Sequence, residues 1–231
     1  MKEKLTYESL LEKIASKQPF SFTRYGDGEW NAIFGKEGAN CDNHKYFPEL
    51  GIKLANCLKE NPQYFLGMQN LGYTQRTEQI NSFLKTNNIL EAEHWSNADI
   101  LHHASIKGKF SKFFEAINNV ENVILVAPEY IMGIYKFMTY NKFVRVPEQN
   151  CFNAYNRIYD EIFTKIKMSD KQQHTVVLLV ASMPANILVH DLFRNFGQTV
   201  SLLDIGSVLD PFVGKATRSY HRNMNIKELN S

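Results

Sequence analysis

At 231 residues the chain is long enough for one sizeable buried core and short for two. A composition of 44% hydrophobic and 22% charged residues, without low-complexity stretches, excludes a disordered or fibrous class. A formal charge of +2 excludes a strongly basic, chain-wide nucleic-acid footprint.

The longest strongly apolar run, Val176 to Ala181, falls far below the ~20 residues of a membrane helix. Met1 to Leu5 lacks the apolar core of a secretory signal. Cys41, Cys57 and Cys151 form no CxxC pair, and an odd count argues against a disulfide framework. Together these give the expectation of a cytoplasmic protein with no membrane span and reduced cysteines. The oligomeric state is left open, a homo-oligomer included.

In chain order, Thr6 caps a predicted helix over Tyr7 to Ser16, with Leu10, Leu11 and Ile14 on one face. Phe20 to Arg24 reads as a buried strand, and Tyr64 to Met68 as a weaker one. Tyr46 to Lys59 and Thr74 to Thr86 show helical spacing. Segment 91–109 shows no clear period and carries His94, Trp95, His102 and His103. It reads as a structural helical excursion, with a lid or acceptor-side insertion as the alternative.

Asn122 to Ala127 is a strand and Lys142 to Val146 a weaker one. Asn153 caps a helix over Ala154 to Met168, striped by Ile158, Ile162, Phe163 and Ile166. Strands at Thr175 to Ala181 and Thr199 to Ile205 enclose a helix that Pro184 opens and Gly197 ends. Strands apolar on both parities, alternating with helices, predict an α/β fold: a mostly parallel, Rossmann-like sheet covered by helices on both faces. No repeat or linker divides residues 1–231, so one domain is expected.

The most informative words are Phe22-Thr-Arg-Tyr-Gly-Asp-Gly-Glu-Trp30. Ligands of open α/β sheets bind beyond the carboxyl ends of strands, where this motif falls. In an extended segment, residues two apart project to one side roughly 6.6 Å apart, so Asp27 and Glu29 can face one cation. Two carboxylates with open positions suit Mg²⁺ or Mn²⁺ completed by water and phosphate oxygens. Gly26 and Gly28 permit close backbone approach, and Arg24 can add a fixed charge to the phosphates of a nucleotide diphosphate. The plainer alternative is a tight turn whose acids cap the following helix.

This motif resembles the hallmark of the bacterial glycosyltransferases of the GT-D fold, Phe-x-Arg-Phe/Tyr-Gly-Asp-Gly-Glu. The similarity continues in Asn153-Ala-Tyr-Asn-Arg-Ile158, in Val177-Leu-Leu-Val-Ala-Ser-Met-Pro-Ala-Asn-Ile-Leu188 and in Leu202-Leu-Asp-Ile-Gly-Ser207. It implies transfer of a sugar from a nucleotide-diphosphate donor such as UDP-glucose to an acceptor hydroxyl, with a glycan or glycoprotein as the usual acceptor. It also implies a divalent metal on Asp27 and Glu29, with Arg24, Tyr25, Gly26 and Gly28 towards the donor. Ser182-Met-Pro-Ala185 departs from the glycine-proline-threonine-like loop expected at that place.

Ser182 and Asn186 border a helix N-terminus, where N–H groups favour anions. Asp204 and Asp210 flank the end of the last strand and are candidate catalytic acids or bases, or loop caps. Arg218 and His221 lie in a polar tail suited to folding over a donor, or simply solvated. Three alternatives stand beside the main reading. Leu203-Asp-Ile-Gly-Ser suggests an S-adenosylmethionine-dependent methyltransferase, but the second glycine of its turn is missing. Glycosyl transfer to hydroxymethylated bases of DNA, and a non-catalytic nucleotide- or glycan-binding module, are the others.

Overall fold

A computed structural model describes residues 4–70, 75–218 and 221. Thr6 Oγ1 accepts the Ser9 N–H at 3.1 Å and Ser9 Oγ accepts the Thr6 N–H at 2.9 Å. This capping box starts α1 (Tyr7–Ala15), which buries Tyr7, Leu10 and Ile14. Strand β1 (Ser21–Tyr25) is followed after one residue by α2 (Asp27–Ile33). Then come α3 (Pro48–Lys59), β2 (Phe65–Met68), α4 (Gln75–Thr86), β3 (Ser96–Asn97), α5 (Ile100–Ile106) and α6 (Ser111–Asn118). The second half holds β4 (Asn122–Ala127), β5 (Lys142–Arg145), α7 (Tyr155–Lys167), β6 (Thr175–Leu179), α8 (Pro184–Phe196) and β7 (Val200–Asp204).

The strands form one parallel sheet in the order β3-β2-β1-β7-β6-β4-β5. Register sets Ser21 beside Leu202, Val177 beside Leu202, and Leu125 beside Leu178. Because side chains alternate across a strand, the central strands feed two cores. Ile124, Val126, Val177, Leu179 and Leu202 meet α2, α3, α7 and α8 on one face. Val123, Leu125, Val176, Leu178 and Leu203 meet α1, α5 and α6 on the other. This is the doubly covered α/β sheet that the apolar runs predict.

Three local readings need correction. Residues from Asp27 onward are helical, not extended, since α2 begins at Asp27. Asn153 does not cap α7: it lies in a 3-10 turn, Cys151–Ala154, and α7 starts at Tyr155 with no side-chain cap. Segment 91–109 contains a 3-10 turn (Ala92–His94), the two-residue edge strand β3 and α5, so it supplies both an edge and a covering helix.

Helix α2 is held from behind by α3, where Gly51 faces the Ala32 carbonyl so closely that a Cβ would overlap it. Only a glycine lets the two helices approach this far. Gly51→Ala should therefore cost about 1–3 kcal/mol by overpacking, read as a lower denaturant midpoint with unchanged slope.

Candidate functional site

Chain direction makes a crevice at the centre of the sheet. From β1 the chain passes to α2 and α3 on one face, where Trp30, Leu50 and Leu54 are buried. From β7 it passes to the opposite face, where Val208, Leu209 and Phe212 are buried. Adjacent strands whose exits diverge leave a gap at their carboxyl ends. A cavity of about 620 Å³ lies there, reached by Arg24, Asp27 and Glu29 from β1, Ser182 from β6, and Gly206 and Asp210 from β7.

An ion pair forms the floor. Asp204, 4% exposed, stands 3.4 Å from Arg24 Nε and accepts the Gly206 N–H at 3.0 Å. Burial pushes the Asp204 carboxyl up, and the Arg24 charge opposes that shift. Gly206 adopts φ +57°, and a Cβ there would collide with the Arg24 guanidinium. Glycine is thus required twice, for the turn and for the space Arg24 occupies. The Asp204 side chain lies beneath the cavity lining, so its visible role is to hold Arg24.

The acids sit above this floor. Asp27 and Glu29 do not share a direction through extended spacing, because two helical residues turn about 200°. Glu29 instead folds back, its Oε2 accepting the Gly26 N–H at 2.8 Å, so that both carboxylates line the cavity. Asp27 Oδ1 accepts the Gly28 N–H at 2.9 Å, and Gln69 Oε1 accepts the Asp27 N–H at 3.2 Å. The helix-capping alternative therefore describes the local hydrogen bonds, while the exposed Asp27 still faces the cavity. Burial raises the Glu29 carboxyl to about 7 against the lowering effect of its backbone hydrogen bonds.

The remaining candidates divide. Ser182 lines the cavity at φ +52°, the conformation glycine favours, and its Oγ accepts from Asn40 Nδ2 at 3.1 Å. The Ser-Met-Pro-Ala loop thus holds its shape at a backbone cost. Asn186 is buried and donates to the Arg24 carbonyl at 3.0 Å, tying α8 to the end of β1. Asp210 lines the cavity and accepts from Tyr130 at 3.2 Å and from Thr217; burial raises its carboxyl, and these hydrogen bonds oppose it.

Arg218 lines the cavity and makes a two-pronged ion pair with Asp42. His221 is buried behind it and accepts the Arg218 N–H at 3.2 Å; burial and the Arg218 charge lower it to about 4, so it is neutral near pH 7. Tyr25 is the departure. Its side chain points away from Arg24 into the core between Trp30 and Trp95, and its hydroxyl donates to the Leu54 carbonyl at 3.4 Å.

Sequence reasoning missed Gln69, Asn40, Asp42 and Tyr130, which come from the connection after β2, the single loop between α2 and α3, and a 3-10 turn after β4, and carry no motif. Among the described residues, six carboxylates line the cavity (Asp27, Glu29, Asp42, Asp99, Glu148, Asp210) against three cations (Arg24, Lys215, Arg218). That excess of acid favours a bound cation. A larger cavity of about 840 Å³ lies at the other end of β2, beside Asn61, Tyr64 and Ile89, away from these acids. Among the described residues, the one group of three mutually close ligating side chains is elsewhere too: Glu91, Glu93 and His94.

No family model matches the chain, and no curated protein matches it. Two solved structures share its fold. One is described as the selenomethionine-substituted structure of domain of unknown function 1792, with a TM-score of 0.64 at 18% identity over 91% of this chain and 80% of that one. The other is described as the domain of unknown function 1792 with a distinct glycosyltransferase fold, with a TM-score of 0.63 at the same identity and coverage. Among the described residues no helix is long and apolar enough to cross a membrane.

Glu29 makes a directional prediction. Between its ordinary value of 4.5 and about 7, the folded state holds a proton that the unfolded state has released, so its contribution to stability is lost as pH rises through that window. In chelator, the unfolding free energy of the wild type relative to Glu29→Gln should therefore fall from pH 5 to pH 7. A constant difference would show that Glu29 ionises normally.

Proposed function

We propose that the chain is a metal-dependent glycosyltransferase that moves a sugar from a nucleotide-diphosphate donor to an acceptor hydroxyl. The observation that carries this reading is the pair Asp27 and Glu29 in an acid-rich switch-point cavity, with Arg24 fixed beside them. The likeness to a solved domain described as a distinct glycosyltransferase fold supports it, as does the GT-D motif.

The donor set fits a hard divalent ion, Mn²⁺ or Mg²⁺. Asp27 offers the accessible carboxylate, and Glu29 adds charge and a second ligand from behind. When bound, such an ion neutralises charge on the departing diphosphate. Arg24, anchored by Asp204, contributes a second fixed positive charge for phosphate oxygens at no reorganisation cost. Gly26 and Gly28 keep the backbone beside the acids clear of side chains. Ser182 sets the start of α8 at the cavity wall, and Arg218, neighboured by His221, faces the donor from the opposite rim.

Asp210 is the candidate base. It lines the cavity, is oriented by Tyr130 and Thr217, and its raised affinity for protons suits it to receive one from an acceptor hydroxyl. The donor is read as UDP-glucose-like on the resemblance, and the acceptor as a glycan or glycoprotein. A non-catalytic binding module would bind the nucleotide sugar without turnover.

A nucleotide-sugar panel tested by thermal shift with and without Mn²⁺ should single out the donor, since a ligand at 100 Kd stabilises by about 2.7 kcal/mol. Asp27→Asn should lower Mn²⁺-dependent donor hydrolysis without acceptor by roughly 10²-fold or more. If Asp27→Asn combined with Glu29→Gln keeps full metal-dependent activity, the reading fails.

A further inference from the structure

A third cavity, of about 720 Å³, adjoins the acid-lined one at Gln69, which lines both. It lies beyond the carboxyl ends of β2 and β3, at Met68 and Asn97, and α4 forms one wall. Thr77, Asn81 and Lys85, four residues apart, form a polar edge of α4 along that wall, with Ile80 and Leu84 buried beneath it. We infer that this cleft is the acceptor subsite, and that it takes a neutral, hydroxyl-rich chain such as an oligosaccharide. The inference rests on the proposed glycosyl transfer and adds where the acceptor lies and what selects it.

Two features join the cleft to the reacting end of the donor cavity. Gln69 Oε1 accepts the Asp27 N–H at 3.2 Å, so the residue shared by both cavities is bonded to the metal motif itself. Arg76, in the first turn of α4, donates to the Asp27 carbonyl at 3.4 Å and to Asn31 Oδ1. The helix that walls the cleft is thereby tethered to the helix that carries the acids. A hydroxyl presented from the cleft past Gln69 enters the donor cavity beside Asp27.

The lining selects the ligand class. Primary amides (Gln69, Asn70, Asn81, Asn97) both donate and accept, as hydroxyls do. Ile80, Leu84 and Trp95 are almost wholly buried and back these polar groups from the core side, so the amides and not ring faces meet the ligand. Charges in the wall balance, with Lys4 and Lys85 against Glu91 and Glu93. A polyanion such as DNA requires a surplus of positive charge to neutralise its phosphates, and the described residues of this cleft supply none.

The test compares wild type with Asn81→Trp, which puts a large ring into the cleft from an exposed helical position that does not line the donor cavity. Donor hydrolysis in water and transfer to a panel of neutral oligosaccharides are measured side by side with Mn²⁺. The expected result is donor hydrolysis within twofold of wild type, with transfer reduced at least tenfold. Undiminished transfer by Asn81→Trp overturns the subsite. So does a wild type that hydrolyses donor and glycosylates a hydroxymethylated DNA oligonucleotide, or an unglycosylated protein, but no neutral oligosaccharide. A wild type that turns over no donor at all overturns the transfer reading itself, and this inference falls with it.

Discussion

The Arg24–Asp204 ion pair joins the ends of β1 and β7, the two strands from which the chain leaves towards opposite faces of the sheet. Taking a carboxylate out of water is costly, and here the neighbouring guanidinium and the Gly206 N–H offset the cost. In return the guanidinium is fixed at the mouth of the crevice before any ligand arrives. Gly206 leaves room for it from below, and Asn186 holds the Arg24 carbonyl from α8. Loss of either carboxylate or glycine would free Arg24, the strand-borne cation among the described residues of the cavity.

Above that floor the charge balance reverses. Asp42 is engaged by Arg218, and Glu148 by Lys215 at 3.2 Å, while Lys215 also lies 3.4 Å from the centre of the Tyr130 ring. These contacts carry segment 215–218 across the cavity from the last 3-10 turn to the loops at 42 and 148. Asp27 and Glu29 remain clustered on the β1 side. The result is a cavity with a positive base, a cross-linked rim and an acidic wall, an arrangement suited to a diphosphate that arrives with a divalent ion. The proposed acceptor cleft opens at Gln69 beside the acidic wall, and an acceptor hydroxyl entering there would reach the cavity that Asp210 also lines.

Much of the architecture was legible because the buried strands are apolar on both parities. Asn122–Ala127 was read at its observed bounds, and Thr6, Pro184 and Gly197 marked real helix ends. Edge strand β3 was not legible: two residues, Ser96 and Asn97, give no period to detect. Helix α2 was legible only as the alternative to an extended motif, since Gly-Asp-Gly reads as a turn and the helix start depends on Glu29 folding back to Gly26. Tyr25 was drawn into the site by the motif that contains it, yet strand parity sends it to the core opposite Arg24. Gln69, Asn40 and Asp42 are brought in by loops, and only assembly of the sheet reveals them. Asp210 stood out in sequence at the end of the last strand and Arg218 in a polar tail, and both line the cavity.

The central claim is that Asp27, supported by Glu29, shares a divalent ion with a diphosphate. Crystals grown with Mn²⁺ and a nucleoside diphosphate test it through anomalous scattering at the manganese edge. The account predicts a peak about 2.1 Å from an Asp27 carboxylate oxygen and from diphosphate oxygens. A peak at Glu91, Glu93 and His94 with none at Asp27, or a diphosphate bound in the crevice without metal, would contradict it.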